Sequence, residues 1–116
     1  MIFKQFDIWT ADLNPQIGTE TGKIRPVLIV QTDLLNKQSH FSTLVCPITT
    51  NIVTVQSPLR VQLSKGMANL ISDCDIMMDQ IRAIDNTRFL TKLGKLPNHL
   101  IMQVKENLLI MFDIEA

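Results

Sequence analysis

A handful of polar residues stand beside apolar runs in this chain, and their types suit phosphate chemistry. Arg25 lies between the polar stretch Gly18-Thr19-Glu20-Thr21-Gly22-Lys23 and the apolar run Pro26-Val27-Leu28-Ile29-Val30. Thr49 and Thr50 follow the apolar segment that closes at Ile48, and Gln80 and Arg82 flank Ile81. A guanidinium is a permanent planar cation that can hold a phosphate through two parallel hydrogen bonds. A threonine hydroxyl donates to a phosphate oxygen, and a glutamate accepts a proton. Fixed at strand ends, such groups would bind a phosphodiester and stabilise charge as it develops. By residue type alone, Arg25 serves equally well as a solvated strand cap or as half of an ion pair.

Other chemistries find less support. The pair Gly18 and Gly22 has neither phosphate-loop nor dinucleotide-loop spacing. His40 and His99 are remote in sequence and read as exposed and inert. Asp73, Asp75 and Asp79 form an acidic group, with Asp73 and Asp75 expected on one face of a strand. With no histidine or further spaced carboxylate beside them, they read as a solvated face or a salt-bridged edge, and no metal or cofactor is expected. Cys46 and Cys74 lie far apart among apolar neighbours, as buried, reduced thiols do.

The bulk numbers set the frame. The chain of 116 residues is expected to form one domain over 1–116, with a core that needs no staples. Eleven basic and eleven acidic residues cancel, so a nucleic-acid role has to rest on a local patch. No apolar run has membrane-span length and Met1 to Asp7 lacks a signal-peptide layout, so no membrane partner and a cytoplasmic location are expected.

The elements that would position these residues are short. Phe6 to Leu13 suits a first strand, Asn14-Pro15 a turn, and Gly18 to Lys23 a polar loop. Pro26 to Val30 fits a strand buried on both faces, with Pro26 marking its start because proline cannot donate to a central ladder. Thr32 is a cap for a helical turn, Thr43 to Ile48 is another strand, and Leu59 to Leu63 alternates cleanly. Ser72 to Ile84 holds one or two strands, and Asp85 to Arg88 a turn. Arg88, Lys92 and Lys95 read as a solvated helical face, with an extended basic track as the alternative. Leu100, Val104, Leu108 and Phe112 fall four apart, the period of a closing helix. The pattern predicts an α+β protein, mainly β: a small, strongly curved antiparallel sheet or open barrel with short helices and a C-terminal helix. The apolar tail from Leu108 to Phe112 exceeds what one helix can bury on one small sheet, which points to a homodimer.

Several blocks then share one resemblance. Asp7-Ile8-Trp9, Asp12-Leu13-Asn14-Pro15, Gly18-Thr19-Glu20 and Gly22-Lys23-Ile24-Arg25-Pro26-Val27 come in that order. Pro47-Ile48-Thr49-Thr50, Asp79-Gln80-Ile81-Arg82-Ala83-Ile84-Asp85 and Lys92-Leu93-Gly94-Lys95-Leu96 follow. In order and spacing the chain resembles the MazF/PemK toxins of bacterial toxin–antitoxin systems over nearly its whole length. The resemblance implies an SH3-like, CcdB/PemK-like barrel, a homodimer, and a cognate antitoxin that blocks activity. It also implies sequence-specific, metal-free endoribonuclease cleavage of single-stranded RNA, mostly mRNA, and growth inhibition. The catalytic pair it implies is Arg25 and Thr49, with Thr50 an immediate neighbour of the same chemistry, and Glu20 in an acid–base role. Thr19 and Gln80 match positions around the RNA, and Lys23, Thr50 and Arg82 complete the expected RNA-binding set. The chain departs from the family at Phe6, where most relatives have glycine, at Thr19, where serine is usual, and over 65–70. The rival reading is a CcdB-like gyrase poison, which shares the barrel but lacks the G-x-x-R-P-V block.

Overall fold

The computed structural model describes residues 2–53 and 58–115. Seven antiparallel strands are present: β1 Asp7–Asp12, β2 Ile24–Ile29, β3 Ser42–Thr49, β4 Arg60–Leu63, β5 Cys74–Met77, β6 Arg82–Asp85 and β7 Phe89–Lys95. The helices are α1, Asp33–Lys37, and α2, Asn98–Phe112. The sheet runs β4-β5-β3-β2-β1-β7, and β6 also pairs with β3. The expected curved α+β architecture is therefore present.

The strand β3 makes the curvature. Its first half, Ser42 to Val45, pairs with β6, while Ile48 and Thr49 pair with Ile76 and Asp75 of β5. Along its other edge, Val45 to Pro47 pair with Ile29 to Val27 of β2. Changing partners along one edge bends the sheet around β3, and each concavity fills with its own core. Ile8, Leu28, Cys46, Ile48, Ile76 and Val104 belong to one cluster. Trp9, Val27, Ile29, Val45, Ile84 and Phe89 belong to the other, where Phe3 stands 5.1 Å from Trp9 and 4.5 Å from Phe89, ring centre to ring centre. Successive residues of β2 feed opposite clusters, which explains its uninterrupted apolar run.

Several elements differ from expectation. β2 starts at Ile24, so Pro26 lies inside it: Pro26 pairs with Thr10 of β1, and pairing to β3 begins only at Val27. The missing N–H therefore falls where one edge of β2 has no ladder to serve. Lys92 and Lys95 lie on the strand β7, not on a helical face, and Lys92 pairs with the buried Asp7 at 3.5 Å. Asp73 and Asp75 do not share a solvated face. Asp73 precedes β5 and accepts the Lys65 N–H at 2.8 Å, whereas Asp75 is fully buried. On α2, Leu100, Ile101, Val104, Leu108 and Met111 pack on the core, but Phe112 is 56% exposed. Thr32 caps α1 as expected, accepting the Leu34 N–H at 3.3 Å.

Phe6 joins three elements. Its N–H donates to Ile29 at 2.7 Å and its carbonyl accepts from Leu96 at 2.8 Å, while its ring is buried. It does this at φ 70°, a left-handed conformation that a side chain disfavours. The glycine that the resemblance implies at this position would suit that backbone geometry. Replacing Phe6 by glycine relieves strain of about 1 kcal/mol but forfeits aromatic burial of about 3–5 kcal/mol. Phe6→Gly should therefore lower the unfolding free energy by about 2–4 kcal/mol in denaturant titration. A glycine variant as stable as the parent would show that the ring contributes nothing at this position.

Candidate active site

The registers bring the chemistry-bearing residues to one end of the β2–β3 ladder. That ladder ends where Val27 faces Pro47, and the same register carried two residues further would bring Arg25 to Thr49. Arg25 pairs with Ala11 on β1, and Thr49 pairs with Asp75 on β5. Residues directly opposite in an antiparallel pair point to the same side. Here that side is a cleft of about 530 Å³, lined among others by Lys23, Arg25, Thr49, Thr50, Asn51 and Ser72. Ile24, Pro26, Leu70, Ile71 and Leu93 supply its apolar walls. One wall is held by the Asn69 side-chain amide, which donates to the Leu93 carbonyl at 2.7 Å.

Arg25 is fixed by a neutral group. Its Nε donates to the Gly22 carbonyl at 2.8 Å, and no carboxylate among the described residues lies within ion-pair distance. Its terminal nitrogens remain available for an anion. Partial burial lowers its pKa from the ordinary arginine value by desolvation. Gly22 is required where it stands, because a Cβ there would meet the Gln16 Cβ at 2.6 Å. Next to it, Lys23 adopts φ 71°, held by its N–H to the Asn14 Oδ1 at 2.9 Å and its carbonyl to the Leu13 N–H at 2.9 Å.

The two threonines differ. Thr49 is half-buried as the last residue of β3, and its Oγ accepts the Asn51 N–H at 3.1 Å. With a lone pair so engaged, the hydroxyl hydrogen is left to donate elsewhere. Thr50 is exposed on the rim.

The remaining expected residues form a second group. Glu20 meets Arg82 at 3.6 Å, and the Arg82 Nη1 also donates to the Thr21 carbonyl at 3.3 Å. Arg88 donates to the carbonyls of Asp12 and Asn14 at 3.0 and 2.6 Å. Two arginines from β6 and the turn after it thus hold the loop between β1 and β2. Thr19 is exposed and Gln80 half-buried, and Thr19, Glu20, Gln80 and Arg82 lie outside the cleft lining. Asn51, Asn69, Ile71 and Ser72 line the cleft without having been singled out in the sequence. Their only local signal was position, next to Thr50 or in and just after the irregular 65–70 segment.

Cys74 also reaches the cleft wall, yet burial raises its thiol pKa. Cys46 is pushed up to about 12, by burial first and the Asp79 charge second. Neither is a thiolate near neutrality, so a cysteine nucleophile is not part of this site. In the native protein both thiols should resist alkylation at about pH 8 and react together only in denaturant. Rapid modification of Cys74 in the native state would contradict this. Gly22→Ala should cost about 1–3 kcal/mol of stability by overpacking against Gln16. An unchanged denaturation midpoint would show that the loop adapts freely.

Comparison with known proteins follows this geometry. The family profile of the PemK-like, MazF-like toxins of type II toxin–antitoxin systems matches residues 4–112. Endoribonuclease EndoA of Bacillus subtilis (strain 168) is 36% identical over 110 residues, spanning 95% of this chain and 94% of that protein. MazF of Deinococcus radiodurans superposes with a TM-score of 0.81 at 20% identity, covering 98% of this chain and 99% of its own. MazE–MazF of the same organism gives 0.77 at 20% identity, with 99% of each chain covered. By profile and by close relative, and with a barrel of the matching fold, this chain belongs to the PemK-like, MazF-like toxin family.

Proposed function

We propose that this chain, an endoribonuclease by family, cuts single-stranded RNA at specific sequences through the substrate's own 2′-OH. The observation that carries the reading is the shared cleft: it is lined by a guanidinium with no carboxylate at ion-pair distance among the described residues and by a threonine hydroxyl whose oxygen already accepts a backbone N–H. In this reaction the 2′-oxygen bonds to phosphorus and the bond from phosphorus to the 5′-oxygen breaks. One proton leaves the nucleophile and one reaches the leaving oxygen. The products are a 2′,3′-cyclic phosphate and a 5′-OH end.

Arg25 holds the non-bridging phosphate oxygens and neutralises the charge that builds on them. Thr49 donates a further hydrogen bond to the same oxygens. The described lining of the cleft contains no carboxylate or imidazole, and we assign the proton acceptor to the loop between β1 and β2. Glu20 is the one acid between Leu13 and Lys23, and it takes that role. The cleft offers a guanidinium, an ammonium, hydroxyls and amides, a donor set that suits phosphate oxygens and not a divalent cation. Lys23 and Thr50 on the rim meet the flanking backbone. Thr19, Gln80 and Arg82 meet the bases, and Arg82 also holds Glu20 in place.

The toxin acts in the cytoplasm as a homodimer and inhibits growth when its cognate antitoxin is lost. The dimer reading draws support from Met102, Ile110, Phe112 and Ile114, each more than half exposed at or beyond the outer face of α2. A gyrase-poison reading draws none from the family match. Sedimentation should give twice the 13.2 kDa chain mass, and a monomer at micromolar concentration would refute the dimer.

The central test uses a long single-stranded RNA in excess EDTA. Cleavage should persist, leave cyclic phosphate ends, and vanish when the sugar at the cut site is 2′-deoxy. Arg25→Ala should lower the rate by roughly 10²–10³-fold or more, in line with removal of a transition-state donor. Cleavage that requires added metal, or that tolerates the deoxy sugar, would sink the mechanism.

A further inference from the structure

Asp75 is an odd residue for its place. It lies on β5 between Cys74 and Ile76 and is fully buried, where the rest of the strand is apolar. Its Oδ2 accepts the Val53 N–H at 2.8 Å and stands 3.4 Å from the Arg60 Nη1. Its Oδ1 is buried with no hydrogen-bond partner among the described residues. A buried, half-satisfied carboxylate is weak support for stability, since an apolar residue of similar size usually does as well. Some other constraint must keep it there.

The bonds around it converge on one turn. The Arg60 Nη1 donates to the Asn51 carbonyl at 3.1 Å, and the Gln62 side-chain amide donates to the Val53 carbonyl at 3.3 Å. Thr49 receives the Asn51 N–H, as described above. The backbone from Asn51 to Val53 is therefore held by side chains from β4 and β5, and that turn carries Thr50 and Asn51 into the cleft. Asp75 is also the register partner of Thr49, on the neighbouring strand β5.

We infer that Asp75 and Arg60 are positioning residues for RNA cleavage: together they clamp the turn after Thr49 so that its hydroxyl points at the phosphate. The inference rests on the ribonuclease reading above. The clamp works through two atoms, the Asp75 Oδ2 on the Val53 amide and the Arg60 guanidinium on the Asn51 carbonyl. It touches no substrate. Its loss lets the Asn51 N–H wander and the Thr49 hydroxyl turn with it, and a misplacement of about 1 Å is enough to cost up to 10²-fold in rate.

The test compares Asp75→Ala, which removes the acceptor, with Asp75→Asn, which keeps an oxygen for the Val53 N–H. On RNA of the parent's preferred sequence, kcat should fall by at least roughly tenfold in Asp75→Ala, with KM little changed. Asp75→Asn should recover to within about threefold of the parent, because the backbone bond survives. Native-state exchange of the Val53 amide should be slow in the parent and Asp75→Asn and fast in Asp75→Ala. If Asp75→Ala does not fold, Asp75→Asn/Arg60→Met is compared with Asp75→Asn. It strands no charge and frees only the Asn51 carbonyl, and kcat should drop severalfold. Parental kcat in Asp75→Ala, or in the double variant, would overturn the clamp. A parent that cuts no RNA would instead remove the ribonuclease reading. Val53 exchange then judges the clamp alone, and a fast Val53 amide in the parent overturns it.

Discussion

The whole arrangement depends on β3 serving two sheets at once. One edge is divided between β6 and β5, and the other is held by β2. A strand in that position has almost no freedom to slip, because a shift of one residue would turn Val45, Cys46 and Ile48 to the wrong sides of two separate cores. Register is therefore fixed most firmly along the strand that ends in Thr49. Arg25 inherits the same precision through β2. Two polar residues that are 24 positions apart (49 − 25) are placed by packing rather than by any bond between them.

Charge is managed differently at each point around this frame. Lys92 has Asp7, Arg82 has Glu20, and Arg60 has Asp75. Among the described residues Arg25 is the strand arginine steadied by a carbonyl with no carboxylate at ion-pair distance, which orients the guanidinium without neutralising it. A protein with balanced formal charge can thus present a local positive site, because the carboxylates of Asp7, Glu20 and Asp75 pair with other cations. The glycine that supplies the carbonyl is fixed in turn by contact with Gln16. The cation's orientation is a property of the loop's packing as much as of its own strand.

Much of this was legible in the sequence, and what was not has physical reasons. The apolar run of β2, the alternation of β4, the Thr32 cap and the stripe on α2 are local patterns, and each produced its element. β7 was invisible because its pairing with β1 shifts register twice, between Ile8 and Trp9 and again between Thr10 and Ala11. Those irregularities erase the two-residue period on which strand reading relies. The cation and hydroxyl of the cleft were found because they sit at the ends of readable strands. Asp75 was read as part of a solvated face or a salt-bridged edge; it is ion-paired, to Arg60, but its full burial was not legible because its partners, Arg60 and Val53, lie 15 and 22 residues away. Glu20 was expected beside Arg25, but its ion partner is Arg82, a pairing across loops that spacing cannot show.

The two arginine straps on the β1–β2 loop separate the site into parts with different rhythms. The second half of β2, Val27 to Ile29, is buried and feeds both cores, so the strand is anchored there while Ile24 is exposed and Arg25 half-buried at its open end. Residues 14–20 are exposed and tied down by side chains from Arg82 and Arg88, contacts that break without disturbing a single ladder bond. In the proposed mechanism the cation would stand on a strand and the proton acceptor on a strapped loop, so the two parts of the site would be held by different kinds of bond.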